Sequence, residues 1–290
     1  MISDALDLAL LQQWVGKTET VHAPIAAGTA RAMAATLDRA DLPDTLPPLW
    51  HWLYFWTAAP QAQLGADGHP ERGGFLPPVP LPRRMWAGGR LAFHVALPLD
   101  IDATRTSTVR HVDVKKGASG TLAFVTVAHE VSVDGTLCIT EEHDIVYRAA
   151  PLPGALPPAP KPAPQDAMWS RAITPDPVLL FRYSALTFNG HRIHYDRPYV
   201  TQVEGYPGLI VHGPLIATLL ADLVRRHLPA AAMRSFDFRA VGPLFDTEPF
   251  TVNGRLDADG IHVHLWAANE RGALAMQATA TISIPKAMHP

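Results

Sequence analysis

A chain of 290 residues with 48% apolar side chains is long enough for two domains of ordinary size, each with its own core, and too apolar to remain disordered. Its formal charge of −3 and pI near 6.5 leave no cationic surplus to neutralise a phosphate backbone, so nucleic acid is not an expected partner. No stretch reaches the roughly 20 apolar residues of a membrane span, and the opening "MISDALDLALLQQW" carries acids where a secretory signal carries positive charge, so a cytoplasmic protein with no membrane contact is expected.

In the first half, helix candidates come first: "AGTARAMAATLD" (27–38) and the aromatic "PPLWHWLYFWTA" (47–58) compete for the role of a helix covering a sheet. Next, a Pro/Gly-rich region holds Arg72, Arg83, Arg84 and Arg90. The segment "GTLAFVTVAHEVSVDGTLCITEEHDIVYR" then alternates apolar and polar residues on both sides of Asp134-Gly135, a dipeptide suited to the positive φ angles of a tight hairpin. The single cysteine, Cys138, lies in this hairpin and cannot form an internal disulfide; it is expected to be a small core residue.

Seven prolines in the fourteen residues "PLPGALPPAPKPAP" (151–164) remove the donors that helix or sheet requires and favour a stiff, extended connector. Residues 1–150 are therefore read as one domain, 151–168 as a linker and 169–290 as a second domain. The second domain repeats the pattern of the first. "GIHVHLWAANERGALAMQATATISI" forms a hairpin around Asn269 to Gly272, and "HGPLIATLLADLVRRHL" places Leu215, Leu219, Leu220, Leu223 and Val224 at helical spacing, with Pro214 early and Pro229 as a stop. Periodicity alone supports two α+β domains dominated by antiparallel sheet.

The stretch "SALTFNGHRIHYD" (184–196) carries the densest polar chemistry, and three readings compete for it. His191, His194 and Asp196 are residues of metal-ligand type, but a histidine pair three apart chelates well only on a regular helix, and Gly190 with its β-branched and aromatic neighbours disfavours one; no metal is expected. A polar turn is the bland reading. An acid/base site is the third. It gains weight from Gly213, which starts the strongest helix seventeen residues beyond the 194–196 cluster, where unpaired N–H groups and the helix dipole favour developing negative charge. A histidine and an oxyanion-stabilising helix start then face one substrate carbonyl.

"FRYSALTFNGHRIHYDRPY" followed by "GLIVHGPLIATLLADL" resembles the hydratase signature of the MaoC-like hotdog proteins, in their double-hotdog hydratase/dehydratase branch. "GHPERGGFLPPVPLPRRMWAGGRLAF" and "FDFRAVGPLFDTEPF" extend the resemblance over most of the chain. It implies a double hotdog: two antiparallel sheets, each wrapped around a central helix. It also implies reversible hydration of a 2-enoyl-CoA thioester to a 3-hydroxyacyl-CoA, for a small branched dicarboxylic acyl group such as a 3-methylfumaryl or itaconyl unit. Coenzyme A is then part of the substrate and no cofactor is expected.

The family motif has an Asp five residues before the catalytic His, an Asn between them and an Asp two residues after. By position His194 matches the catalytic His and Asp196 the later Asp, His191 stands at the intervening Asn, and Asn189 replaces the catalytic Asp. An amide cannot accept a proton at neutral pH, so Asn189 can orient a water but cannot be its base. The implied roles are His194 as acid/base, Asn189 as water holder and Gly213 N–H as oxyanion donor, with Asp196, Ser184 and Arg182 supporting them; His191 is either a second acid/base or a structural hydrogen-bonder, and the motif alone does not decide. Arg72, Arg83, Arg84, Arg90 and His212 are candidates for contact with substrate or coenzyme A, an arginine being able to hold a carboxylate by a bidentate pair. A general 3-hydroxyacyl-thioester dehydratase, a thioester hydrolase and a catalytically weak acyl-CoA-binding protein are the alternatives. Two hotdogs in one chain can pair with each other, so a monomer or a homodimer is expected.

Overall fold

The computed structural model describes residues 6–41, 44–117, 120–149 and 159–284. Among these, ten strands alternate with four helices. In the first half β1 (Thr18–Pro24), β2 (Arg83–Phe93), β3 (Asp102–Gly117), β4 (Gly120–Val133) and β5 (Thr136–Arg148) accompany the short α1 (Leu8–Gln12) and α2 (Ala27–Thr36). In the second, β6 (Trp169–Ile173), β7 (Ala232–Ala240), β8 (Phe250–Leu256), β9 (His262–Asn269) and β10 (Leu274–Ser283) accompany α3 (Pro177–Leu186) and α4 (Gly213–His227).

The two halves share one wiring scheme. Outward from the middle the first half runs β2-β5-β4-β3-β1 and the second β7-β10-β9-β8-β6, so each places its second, fifth, fourth, third and first strands in that order. Antiparallel pairing of Gly88–Ala92 in β2 with Ser235–Arg239 in β7 joins them into a single ten-stranded sheet. The two expected antiparallel sheets are thus joined edge to edge, because the inner strand of each half has a free edge and the other half's inner strand satisfies its hydrogen bonds.

Both predicted hairpins form. Asp134 (φ +48°) and Gly135 (φ +77°) make the β4–β5 turn, and Gly272 (φ +74°) closes β9–β10. Cys138 is buried on β5. Pro151–Pro158 of the proline-rich connector lie outside the described residues. From Ala159 onward the connector follows the second hairpin, with Ala163 N–H donating to Gly272 O (2.9 Å) and Leu274 N–H to Lys161 O (2.8 Å). Among the described residues no helix is long and apolar enough to cross a membrane.

Of the two first-half helix candidates, 27–38 contains the helix, while the aromatic stretch forms only a 3-10 turn, Trp50–Leu53. Its bulky rings pack directly into the core, with Trp50, Leu53, Tyr54 and Phe55 all buried. The halves are therefore unequal. Among the described residues only the second has a long central helix, α4, in which every residue from Leu215 to Val224 is buried.

That run includes Asp222, whose carboxylate meets Arg226 (2.6 Å), Arg39 (3.3 Å), Arg171 (3.5 Å) and Arg225 (3.7 Å). Arg39 follows α2, Arg171 lies on β6 and the other two end α4, so one buried carboxylate binds the lower end of the central helix to both halves. Arg226 also donates to Leu37 O (2.7 Å), satisfying a carbonyl at the end of α2. The opposite end of α4, where Gly213 begins it, opens toward a cleft between the halves.

Candidate active site

The cleft encloses about 1420 Å3 and draws its lining from both halves: Trp52, Trp86, His69 and Arg84 from the first, Ser184, Phe188, Asn189 and Pro214 from the second. Its floor is set by the start of α4. His212 caps that helix, Pro214 occupies the first turn where a missing N–H does no harm, and Gly213 N–H has no partner within the helix. A Cβ on Gly213 would stand 3.0 Å from the Trp86 indole, so only glycine lets the β2 ring and the helix start approach this closely.

Beside this helix start the segment after α3 folds back. Asp196 shapes it, accepting from Tyr199 N–H (3.0 Å) and Arg192 Nε (2.9 Å). A single 3-10 turn, Arg192–His194, buries His194, and His194 Nδ1 donates to Ile210 O (2.7 Å), leaving Nε2 with its lone pair. The His194 ring stacks on His212 with centroids 3.7 Å apart, and His212 Nε2 meets Ser184 Oγ at 2.8 Å. Burial pushes His194 down to about 4, against the help of the Ile210 carbonyl, and burial beside His194 and His191 drives His212 well below the ordinary histidine value.

Asn189 lines the cleft and its Oδ1 accepts from His191 N–H (3.0 Å), so the carboxamide oxygen holds the loop and its NH2 is left for a ligand. The His191 ring stands edge-on to His194, 5.4 Å between centroids. Burial, reinforced by His69 and His194, holds His191 near 2, so His191, His194 and His212 are all neutral at pH 7. Arg182 is exposed on α3 and does not join this group.

The four arginines separate. Arg84 lines the cleft and its charge bears on His69 and His191. Arg72 also lines it, but its guanidinium is occupied by the carbonyls of Val79 (2.7 Å), Leu81 and Pro82 (2.9 Å). Arg83 reaches across the halves to Glu204 O (3.0 Å) and the Tyr206 hydroxyl (3.3 Å). Arg90 lies on the other face of the sheet, paired with Asp144 (2.7 Å) and Glu142 (2.9 Å), because strand alternation turns it away from buried Leu91; its expected substrate contact is corrected to a surface ion pair.

Sequence reasoning missed two first-half groups. The first is the loop at Asp67-Gly68-His69, which docks on the 189–196 segment: Arg192 N–H donates to Asp67 O (2.9 Å) and Arg192 Nη1 to Ala66 O (2.9 Å), and the His69 ring packs on His191 with centroids 4.1 Å apart. The second is a polar wall on the sheet. Buried Glu141 accepts from His51 Nε2 (3.0 Å), Trp52 Nε1 (2.8 Å) and His143, and His129 Nδ1 meets Ser107 Oγ at 2.8 Å. A histidine beside a turn dipeptide was the only local signal for the first, and inward-facing polar residues in β4 and β5 were the signal for the second.

Gly68 offers a direct check on the docking of the two loops. It has φ +86°, and a Cβ there would drive into the Gly190 carbonyl. Gly68→Ala is expected to lower stability by about 2 kcal/mol and to depress turnover through displacement of the 189–194 segment, read by thermal denaturation and thioester turnover. Unchanged values for both measurements would show that the two loops are not tightly coupled.

Residues 49–246 match the family described as hydroxyacyl-thioester dehydratase type 2. The chain belongs to this family. It is 50% identical over 275 residues to a Chloroflexus aurantiacus protein named mesaconyl-C(4)-CoA hydratase, covering 92% of this chain and 95% of that one. Among solved structures it is similar to a MaoC-like dehydratase from Phytophthora capsici (TM-score 0.74, 14% identity, 98% of this chain and 100% of that one). It also resembles a Mycobacterium tuberculosis protein described as having a double hotdog fold (TM-score 0.57, 14% identity, 93% and 96% covered). The fold is that of the MaoC-like double hotdogs.

Proposed function

We propose that this family member is a hydro-lyase that adds water across the double bond of a 2-enoyl-CoA thioester, with 3-methylfumaryl-CoA (mesaconyl-C4-CoA) as its substrate. The observation that carries the reading is the near full-length identity of 50% to the Chloroflexus hydratase. The geometry agrees with the chemistry. Hydration requires a base for the attacking water, a donor for the thioester oxygen as enolate charge develops, and a dry, shaped site.

His194 is the base. Its Nδ1–H is committed to Ile210 O, so the neutral ring can only accept at Nε2. The water's O–H bond breaks toward that nitrogen while its oxygen bonds to the β-carbon. The double-bond electrons move onto the thioester oxygen, which Gly213 N–H stabilises at the helix start. A proton then reaches the α-carbon and the thioester carbonyl re-forms. Asn189 orients the water through its free NH2, and Arg84, which lines the cleft, pairs in this reading with the distal carboxylate of a dicarboxylic acyl group.

The test is to incubate the protein with 3-methylfumaryl-CoA, itaconyl-CoA and crotonyl-CoA, following the conjugated thioester absorbance together with free thiol. Loss of absorbance without thiol, fastest for 3-methylfumaryl-CoA, is the expected result. Release of thiol would mean hydrolysis and overturn the reading, and a preference for crotonyl-CoA would replace the dicarboxylic substrate by a general 3-hydroxyacyl thioester.

A further inference from the structure

We propose that His69, on the first-half loop that closes over the catalytic segment, is a second acid/base residue of the reaction, carrying the α-carbon proton with Asp67 behind it. The inference rests on the hydratase reading above and deepens it. Two proton transfers are needed and His194 serves one, since its only free nitrogen bears a lone pair and its other N–H is held by Ile210 O. Asn189 cannot exchange a proton at neutral pH.

His69 has the geometry for the remaining transfer. It lines the cleft alongside Asn189 and comes from the first half, whereas His194 is a buried residue of the second. His69 Nδ1 lies 3.2 Å from Asp67 Oδ2, and Asp67 Oδ1 accepts the His69 backbone N–H at 3.0 Å, so the carboxylate fixes the ring and leaves Nε2 as the reacting atom. His69 enters the hydration step as the imidazolium, Nδ1–H on Asp67 and Nε2–H free to donate, and regains that form in dehydration; this cation faces a carboxylate at hydrogen-bond distance, which neither His191 nor His194 has. His191 separates the two rings, 4.1 Å from His69 and 5.4 Å from His194 between centroids.

In the hydration direction the water proton goes to His194 Nε2, the water oxygen bonds to the β-carbon, and the electron pair passes to the thioester oxygen. The α-carbon then takes the proton from His69 Nε2. One proton has entered at His194 and one has left His69, and exchange through His191 or solvent restores both groups. Dehydration uses the same two groups in the opposite order.

The charged and titratable groups around His69 are Asp67 and Arg72 from its own loop, Arg84 from β2, and His191 and His194 from the catalytic segment. Burial lowers His69 and Asp67 partly opposes it, while burial raises the Asp67 carboxyl and the His69 hydrogen bonds outweigh that, holding it ionised. Ligand atoms of Asp67, His69 and His191 lie within 4.8 Å of one another, a spacing that also suits a cation. The guanidinium charges of Arg84 and Arg72 beside His69 oppose a cation and favour the ion-paired reading.

Wild-type, His69→Ala, His69→Asn and Asp67→Asn proteins are compared in hydration of 3-methylfumaryl-CoA from about pH 5 to about pH 9. His69→Ala is expected to lose about 100- to 1,000-fold in kcat with KM within about threefold, and added imidazole to recover at least about tenfold of the loss. The fall of kcat that wild type shows as pH rises through the His69 value, which burial lowers from the ordinary histidine value, is absent from both His69 variants. In Asp67→Asn it moves to lower pH, because the imidazolium has lost its carboxylate. A loss confined to KM, no recovery with imidazole, or persistence in His69→Asn of the fall of kcat on rising pH overturns the proposal. So does wild-type activity abolished by a chelator and restored by zinc. Wild type with no hydration of any enoyl thioester overturns the hydratase reading; active wild type with unaltered variants overturns this inference alone.

Discussion

His194→Ala is expected to lower turnover of 3-methylfumaryl-CoA by about two to four orders of magnitude, the range over which a positioned general base contributes. The size follows from how the ring is held. The Ile210 carbonyl at 2.7 Å fixes the tautomer, stacking on His212 at 3.7 Å fixes the plane, and burial keeps the ring neutral with a value near 4. Alanine also leaves a cavity and an unpaired Ile210 carbonyl, which costs stability of its own. His194→Gln, which retains an N–H for that carbonyl, separates the two effects: its thermal midpoint should stay closer to wild type while turnover remains low. Turnover near wild type in either variant would remove His194 from the mechanism.

The second large effect is loss of stability in mild acid. His194, His129 and His191 are held near 4, 3 and 2, in each case chiefly by burial, and His212 is depressed as well. The unfolded chain titrates these groups near about 6.5, so below that pH it binds protons that the folded chain does not. Stability is therefore fully present above about pH 6.5 and falls as pH drops toward the folded values. One pKa unit corresponds to about 1.4 kcal/mol, so His194 alone removes about 3 kcal/mol by pH 4, and the other buried histidines add to it. Glu141 acts in the same direction at lower pH, because burial raises it but His143 and His51 outweigh that and hold it below the usual carboxylate range. Denaturant midpoints measured at intervals from about pH 7.5 to about 4.5 should stay level down to about pH 6.5 and decline below it. A flat profile would mean that these rings are already protonated or solvated in the folded protein.

The acid sensitivity and the chemistry have one origin. The base proposed at His194 must be unprotonated, and the burial that keeps it so stores a protonation penalty that the fold must carry. The clamp on Asp222 at the far end of α4 offsets part of that load: it ties the helix to Arg39 and Arg171 from opposite halves, so the helix start bearing Gly213 is held at the cleft from its other end.

How much was legible in the sequence divides along the range of the interactions involved. The hairpins at Asp134-Gly135 and Asn269–Gly272, the central helix from Gly213, and the polar segment 184–196 were readable because they depend on alternation, turn dipeptides and helical spacing within a few residues. The pairing of His194 with Gly213 was expected from the helix start that follows the histidine and from the family motif, and in the structure His194 stacks on His212, the residue before Gly213. Tertiary structure decided which of two helix candidates covers the first half, because burial of the rings at Trp50–Phe55 overrides local propensity. It also decided that β2 pairs with β7, that Arg90 turns away from the cleft while Arg84 lines it, and that Asp67 and His69 reach a catalytic loop more than a hundred residues distant in the chain. None of these is encoded by spacing. Each depends on which free strand edge, which sheet face and which loop surface is left to be satisfied once the local elements have formed.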